Sequence, residues 1–221
     1  PQAPCAWPDA RKHYSPICRH YYMHSASHSD ARSRCLRVFV LFAAVLVLGA
    51  AHTDATARQQ RPQPAIEAND LAKRIHAQVN AKRKRHGLAS LAWNDTLSRI
   101  AAKHSRDMAN RNYLGHDTPE GKTFPDRYRQ GGFSCEVRTG NLTYTGAENI
   151  ALGRRYNSMT TENGIAYYNW NSVQEIVLKT VDGWMNSAGH RKNILTPYWR
   201  QEGVGVKVGP GNKIYITQNF C

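Results

Sequence analysis

The sequence predicts an α+β fold, a three-layer α-β-α sandwich with a small antiparallel sheet between helices. Three observations predict it. Three segments carry apolar residues at helical spacing, two ahead of residue 110 and one from Ser172. Two segments near the C-terminus alternate residue by residue around Gly209-Pro210-Gly211-Asn212. A single strand-like stretch, Gly146 to Ala151, lies in the middle. Elements segregated along a chain in this way read as α+β. Helices with one apolar stripe each need both faces of a sheet to bury them.

The first helix starts at Asn69 or Asp70 as N-cap, shows Leu71, Ile75 and Val79 on one face, and ends at Gly87. Its last turn, Lys82-Arg83-Lys84-Arg85, places cations at the negative end of the dipole. After a short apolar connection, Leu88 to Trp93, Asn94 or Asp95 caps the second helix. Its face is Leu97, Ile100, Ala101, His104 and Met108. His104 reads as a core-edge histidine with both ring nitrogens hydrogen-bonded.

Asn112 to Gly121 is a loop that carries His116, and a short third helix from Thr123 to Gln130 stops at Gly131-Gly132. Residues 133–146 read as loop with some extended character, and 153–171 as a long surface loop without a clear period. Ser172-Val173-Gln174-Glu175 is a capping box, so Glu175 has a structural task. Behind it Val173, Ile176, Val177, Thr180, Val181 and Trp184 form the strongest amphipathic pattern in the chain. Ser187 caps a further short helix with His190 in its first turn. Gly203 to Val208 and Lys213 to Phe220 form a terminal hairpin, with Ile214, Ile216 and Gln218 on one side and Tyr215, Thr217 and Asn219 on the other.

The 221 residues divide unevenly. Residues 36–51 are almost continuously apolar, preceded by Arg32 and Arg34 and followed by the small-x-small site Ala55-Thr56-Ala57. This reads as a signal peptide over 23–57 with cleavage near Ala57, and hence as a secreted protein, extracellular or periplasmic. The alternative is a membrane anchor formed by 36–51, although the apolar core from Val38 to Ala51 is shorter than the roughly 20 residues a spanning helix needs. Residues 1–22 read as an upstream extension or a disordered segment, 58–69 as a linker with Pro62 and Pro64, and 70–221 as one domain.

The chain holds 30 Lys and Arg against 16 Asp and Glu, a net charge of +14; over 58–221 the counts are 24 and 13, or +11. Such a charge attracts anionic surfaces and polymers. It is scattered apart from Lys82 to Arg85, and no nucleic-acid-binding motif is present, so no nucleic-acid partner is expected. Cys135 and Cys221 follow the signal segment, and in an exported chain they are expected to pair as a disulfide.

Three polar residues stand where helix and strand patterns do not explain them: His116, Glu148 and His190, each after a small residue. Two histidines and a carboxylate make a divalent-metal set and also an acid/base set. Their spacing does not force them together.

The stretches Gly146-Ala147-Glu148-Asn149-Ile150, Trp184 to Leu195 (WMNSAGHRKNIL) and Gly203-Val204-Gly205 resemble the prokaryotic branch of the CAP superfamily, the SCP-like domains related to cysteine-rich secretory, antigen 5 and pathogenesis-related 1 proteins. Asn80, Arg83, Leu91, Trp93, Leu97, Met108 and Thr217 to Phe220 fit the same pattern, so the resemblance covers roughly 70–221. It implies a cleft with two histidines and two acids, which in some members binds a divalent cation. Carried over, His116 and His190 are the histidines and the metal ligands, with zinc preferred, and Glu148 is the first acid. Ser187 stands where the second acid of eukaryotic members lies, which weakens carboxylate-pair chemistry.

The resemblance therefore favours a domain that binds a small molecule, a lipid or a cell-envelope component over an enzyme. A metal-dependent hydrolase with Glu148 as base is the alternative, and no HExxH, GxSxG or cysteine-nucleophile motif supports it. A third reading is adhesion to anionic surfaces through the positive charge.

Overall fold

The computed structural model describes residues 62–221. The readings of 1–22, of the signal peptide at 23–57 and of an anchor at 36–51 lie outside the described residues. Among the described residues, no helix is long and apolar enough to cross a membrane.

A four-stranded sheet occupies the middle of the sandwich, in the order β1 (Ala92–Trp93), β7 (Gln201–Val208), β8 (Lys213–Phe220), β4 (Ala147–Arg154). The β7–β8 hairpin and the β8–β4 pair are antiparallel; short β1 runs parallel to β7, so the sheet is mixed at one edge. β4 pairs along its whole length with β8, Ala147 opposite Phe220 and Arg154 opposite Lys213, and it forms the other edge.

The two faces carry different layers because side chains alternate along a strand. Val204, Val206, Ile214 and Ile216 point to one face. There they pack with Leu71, Ile75 and Val79 of α1 (Ala68–Arg85) and with Ile176, Val177, Val181 and Trp184 of α4 (Val173–Asn186). Each such fully buried aliphatic side chain contributes about 1.5–3 kcal/mol relative to exposure. Trp184 also donates its indole N–H to the carbonyl of Ile150, 3.1 Å away. The opposite face receives α2 (Asp95–Arg111), whose Met108 and Ala109 pack on Ile150 and Tyr215.

α2 lies almost in contact with the β7 backbone. A Cβ on Gly203 would fall 2.1 Å from the Ser98 nitrogen, and one on Gly205 2.0 Å from the Ala102 nitrogen. The close approach lets the Ser98 hydroxyl reach the carbonyl of Val204 (2.8 Å) and the Ser105 hydroxyl that of Gly205 (3.0 Å).

Helix ends follow local chemistry. Asn94 caps α2 by accepting from the Leu97 N–H. Capping boxes start α3 (Phe124–Gln130) at Thr123 with Asp126 and α4 at Ser172 with Glu175, so Glu175 is committed to its cap. α1 differs from expectation. It begins at Ala68 with Glu67 as N-cap and no side-chain cap, while Asp70 lies inside the first turn and pairs with Arg74 at 2.7 Å. An acid there still complements the helix dipole. Arg83 does more than place a cation at the end of the helix dipole. It is fully buried and donates to the carbonyls of Ala89 (2.9 Å), Ile194 (2.6 Å) and Thr196 (2.8 Å). Its guanidinium supplies donors that the end of α5 (Ala188–Leu195) lacks.

Two expected loops are hairpins. Residues 133–146 contain β2 (Val137–Thr139) and β3 (Leu142–Tyr144). The segment read as a long surface loop at 153–171 is β5 (Tyr156–Glu162) paired with β6 (Ile165–Trp170). Asn163 and Gly164 turn it with φ of 51° and 77°, the positive-φ pair of a two-residue hairpin turn. The strands lack a polar/apolar alternation because most of their residues are exposed on both faces, so the Asn-Gly pair was their main sequence signal.

Cys135 and Cys221 form a disulfide beside Leu97, Ile100 and Tyr128, closing a span of 86 residues. It ties the end of β8 to the segment ahead of β2.

Candidate functional site

The free edge of the sheet, β4, brings the two layers together at Glu148 and Asn149. Adjacent residues on a strand face opposite sides. Glu148 points toward the layer of α2 and α3, and Asn149 toward the layer of α5.

On the first side Glu148 is buried, and both its oxygens are engaged. Oε1 lies 3.0 Å from His116 Nδ1, and Oε2 accepts from Arg127 Nη2 at 2.5 Å. Arg127, buried on α3, donates through Nη1 to the carbonyls of His116 (2.7 Å) and Lys122 (3.0 Å). One guanidinium therefore fixes both the carboxylate and the main chain of the loop that carries His116. Because a carboxylate only accepts, Nδ1 of His116 carries the hydrogen, and in the neutral ring the lone pair is on Nε2. His116 is the partly exposed member of the cluster, with about a third of its side chain open (36%).

On the other side His190 is buried in the first turn of α5. Its ring centroid lies 6.5 Å from that of His116, with the planes tilted by 37°. Burial pushes its pKa below the ordinary histidine value, and the neighbouring His116 adds to that. Its main-chain carbonyl accepts from the Asn149 amide at 3.3 Å. Asn193, one turn further along α5, donates to the Glu148 carbonyl (3.1 Å) and to Asn149 Oδ1 (2.9 Å).

Thus His116, Glu148 and His190 do meet, through tertiary structure. Ser187 lies at the junction of α4 and α5. It makes no side-chain cap, contrary to expectation; its carbonyl instead accepts from the Arg191 N–H at 2.8 Å. His104, expected to have both ring nitrogens satisfied, bonds only through Nε2 to the Gly115 carbonyl (3.0 Å), while buried Nδ1 has no protein partner. Its pKa is lowered, first by burial. The Nε2 bond still serves the site, since it holds the residue directly before His116. Sequence reading missed Arg127, Asn149 and Asn193 as parts of the cluster. Arg127 was one more cation in a basic chain, and the two asparagines lay inside motifs quoted for their neighbours.

A divalent cation held jointly by His116, His190 and Glu148 does not fit this arrangement. Both Glu148 oxygens already hold donors, and a guanidinium stands beside them. Two imidazoles on one tetrahedral zinc, with Zn–N of about 2.0–2.1 Å, bring their centroids to about 5–5.5 Å; here they stand 6.5 Å apart. Among the described residues no group of three His, Cys, Asp or Glu is arranged to hold a metal. The residues that would offer lone pairs to a cation are His116 and His190, with Glu148 behind His116 as the carboxylate that orients a ligating imidazole.

A mixed sheet between helical layers, with two histidines and a glutamate gathered at its edge, defines an SCP-type domain. The chain belongs to the cysteine-rich secretory protein (CAP) family, whose family model matches residues 76–220. Among solved structures it is similar to an extracellular protein containing an SCP domain from Bacillus anthracis, at 31% identity and a TM-score of 0.51, covering 69% of this chain and 40% of that one. An outer surface protein of Borrelia burgdorferi shares the fold at 18% identity and a TM-score of 0.52, covering 70% of this chain and 94% of that one. Two Bacillus subtilis proteins are similar in sequence. The uncharacterized protein YkwD is 34% identical over 133 residues, 60% of this chain and 41% of its own. The uncharacterized membrane protein YlbC is 29% identical over 148 residues, 67% of this chain and 33% of its own. The chain thus spans well under half the length of either B. subtilis relative.

Proposed function

We propose that this CAP domain works outside the cytoplasm as a binding module. It takes a small molecule, a lipid or an envelope component against the imidazoles of His116 and His190. The observation that carries this reading is the fixed Arg127–Glu148–His116 chain beside His190. It holds one imidazole in a set orientation next to a second, His190, whose pKa burial pushes below the ordinary histidine value. A ligand with hydrogen-bond donors suits two such imidazoles as they stand, whereas a zinc ion with water in its remaining positions would have to draw the rings together from 6.5 Å.

Glu148 serves this cluster as an orienting group. A general base needs an oxygen turned toward a water, and both oxygens are turned toward His116 and Arg127. With Ser187 in place of a second acid, the arrangement supports binding more than hydrolysis. Placement outside the cytoplasm draws support from the Cys135–Cys221 disulfide, from the apolar run at 36–51, and from the B. anthracis neighbour described as extracellular. YlbC, described as a membrane protein, keeps anchoring by 36–51 as the second form of that placement.

The test has two arms. Native mass spectrometry of the purified protein is expected to find a co-purifying molecule that is lost in His116→Ala and His190→Ala. Calorimetric titration with zinc is expected to show binding that both substitutions weaken. No co-purifying molecule, together with equal zinc affinity in all three proteins, would overturn the reading. Turnover of a peptide substrate that Glu148→Ala and a chelator abolish would favour the hydrolase. Binding to anionic polymer that collapses with salt and ignores His190→Ala would favour adhesion.

A further inference from the structure

Behind the cluster, on the α5 side of the sheet, runs a buried chain of polar side chains that binding itself does not require. Glu202 on β7 is fully buried. Its Oε1 lies 2.6 Å from His76 Nδ1 of α1, and its Oε2 accepts from Gln218 Nε2 of β8. Gln218 Oε1 accepts from Asn149 Nδ2 at 3.0 Å, and Asn149 Oδ1 accepts from Asn193 Nδ2 at 2.9 Å. The chain crosses the sheet from α1 to α5 through β7, β8 and β4.

Its direction is fixed by what each group can donate. A carboxylate only accepts, so Gln218 must turn its NH2 to Glu202 and its oxygen to Asn149. Asn149 meets two acceptors, Gln218 Oε1 and the His190 carbonyl, and must turn its NH2 to both. Its oxygen is then left facing Asn193, which must donate. The same Asn193 NH2 also holds the Glu148 carbonyl at 3.1 Å. Asn193 and Asn149 therefore join the main chain of Glu148 to that of His190, and Gln218 keeps Asn149 from flipping.

The outer end is freer. Asn80, held by the N–H and carbonyl of Leu91, donates to His76 Nε2 at 3.3 Å, so His76 donates through Nδ1. His76 is partly exposed. With glutamine at 202, the new amide can keep its oxygen toward Gln218 and its NH2 toward His76, whose ring hydrogen moves to Nε2. The cost falls on the Asn80 bond near solvent, and the inner chain stays as it was.

We propose that Asn193 and Gln218 are positioning residues for the binding cluster: acting through Asn149, they set the separation between His190 and the Glu148–His116 pair. The inference rests on the binding reading above for its purpose, while its geometry is testable without any ligand. The obvious alternative is that these side chains only stabilise the fold.

Asn193→Asp is the main test, because it is isosteric, half-buried and replaces the obligatory donor with an acceptor. Gln218→Met removes the inner anchor, and Glu202→Gln is the control at the outer end. Each is followed by thermal unfolding, by the nuclear Overhauser contact between the His116 and His190 rings, and by amide exchange at residues 190–193. Asn193→Asp and Gln218→Met are expected to weaken the ring contact and to speed exchange about tenfold, the counterpart of one lost hydrogen bond. Glu202→Gln is expected to leave both readouts as in the parent protein. Lower thermal stability with an unchanged ring contact and unchanged exchange in Asn193→Asp would overturn the proposal. Equal changes in all three variants, which would mark general loosening, would also overturn it. Zinc affinity of the same variants is read separately: absence of zinc binding in the parent protein counts against the binding reading and leaves the positioning result standing.

Discussion

Glu148 and Asn149 are neighbours on β4 and hold opposite layers of the sandwich. The Glu148 carboxylate takes His116 at 3.0 Å on one side, and the Asn149 amide takes the His190 carbonyl at 3.3 Å on the other. The two-residue period of a strand is what lets one dipeptide gather histidines from both layers. It also explains why the cluster forms at β4, since an edge strand is where two layers can meet without the sheet between them.

Arg127 is the residue on which the Glu148 side of the cluster depends. Arg127→Met leaves a buried carboxylate without its cation and removes the donor from the carbonyls of His116 and Lys122. Breaking one partner of a buried pair costs about 3–5 kcal/mol, and denaturant unfolding is expected to show a loss of that order. Arg127→Lys is expected to recover only part of it, because a single ammonium lacks the fork that reaches three acceptors. A loss for Arg127→Met within the range of an ordinary surface change would mean that the pair does not hold the loop.

Stability is expected to fall on mild acidification. His104 and His190 both have pKa values lowered chiefly by burial. The unfolded chain protonates its histidines near the ordinary value of about 6.5, while the folded chain does so only at lower pH. Across the window below about 6.5 the unfolded state binds more protons, so stability declines as pH falls and levels off below the folded values. Urea unfolding between pH 7.5 and 5 measures this slope, and His190→Gln is expected to make it shallower. A slope unchanged by that substitution would count against the lowered value.

The disulfide closes a span of 86 residues. For a loop of that size the chain-entropy model and measured removals give about 2–5 kcal/mol. Cys135→Ala with Cys221→Ala is expected to lose stability in that range, and the parent protein under reductant is expected to match the double variant. Identical unfolding midpoints for oxidised and reduced parent protein would contradict this.

Gly205→Ala tests the close approach of α2 to β7. The added Cβ would fall 2.0 Å from the Ala102 nitrogen, against backbone that cannot rotate away. Overpacking of this kind costs about 1–3 kcal/mol or more. Gly183→Ala is the control, since a Cβ there meets nothing within 4 Å, and it is expected to be neutral or slightly stabilising because alanine favours a helix.

Much of this protein was legible in the sequence where a local pattern reports a local cause. The 3.6-residue period of Leu71, Ile75 and Val79, the capping box at Ser172 and Glu175, and the alternation of Ile214, Ile216 and Gln218 each mark an element that the structure contains. The β5–β6 hairpin was not legible by period, since exposure on both faces removes the alternation, and Asn163-Gly164 was its real signal. The residue types of the cluster, His116, Glu148 and His190, were also visible in the motifs. Tertiary structure alone decided what those residues touch. Arg127 finds Glu148 across 21 positions, Gln218 finds Asn149 across 69, and Arg83 finds the end of α5 across 111. Such contacts depend on how sheet and helices pack, and a hydrogen bond between distant residues leaves no periodic trace in the chain that makes it.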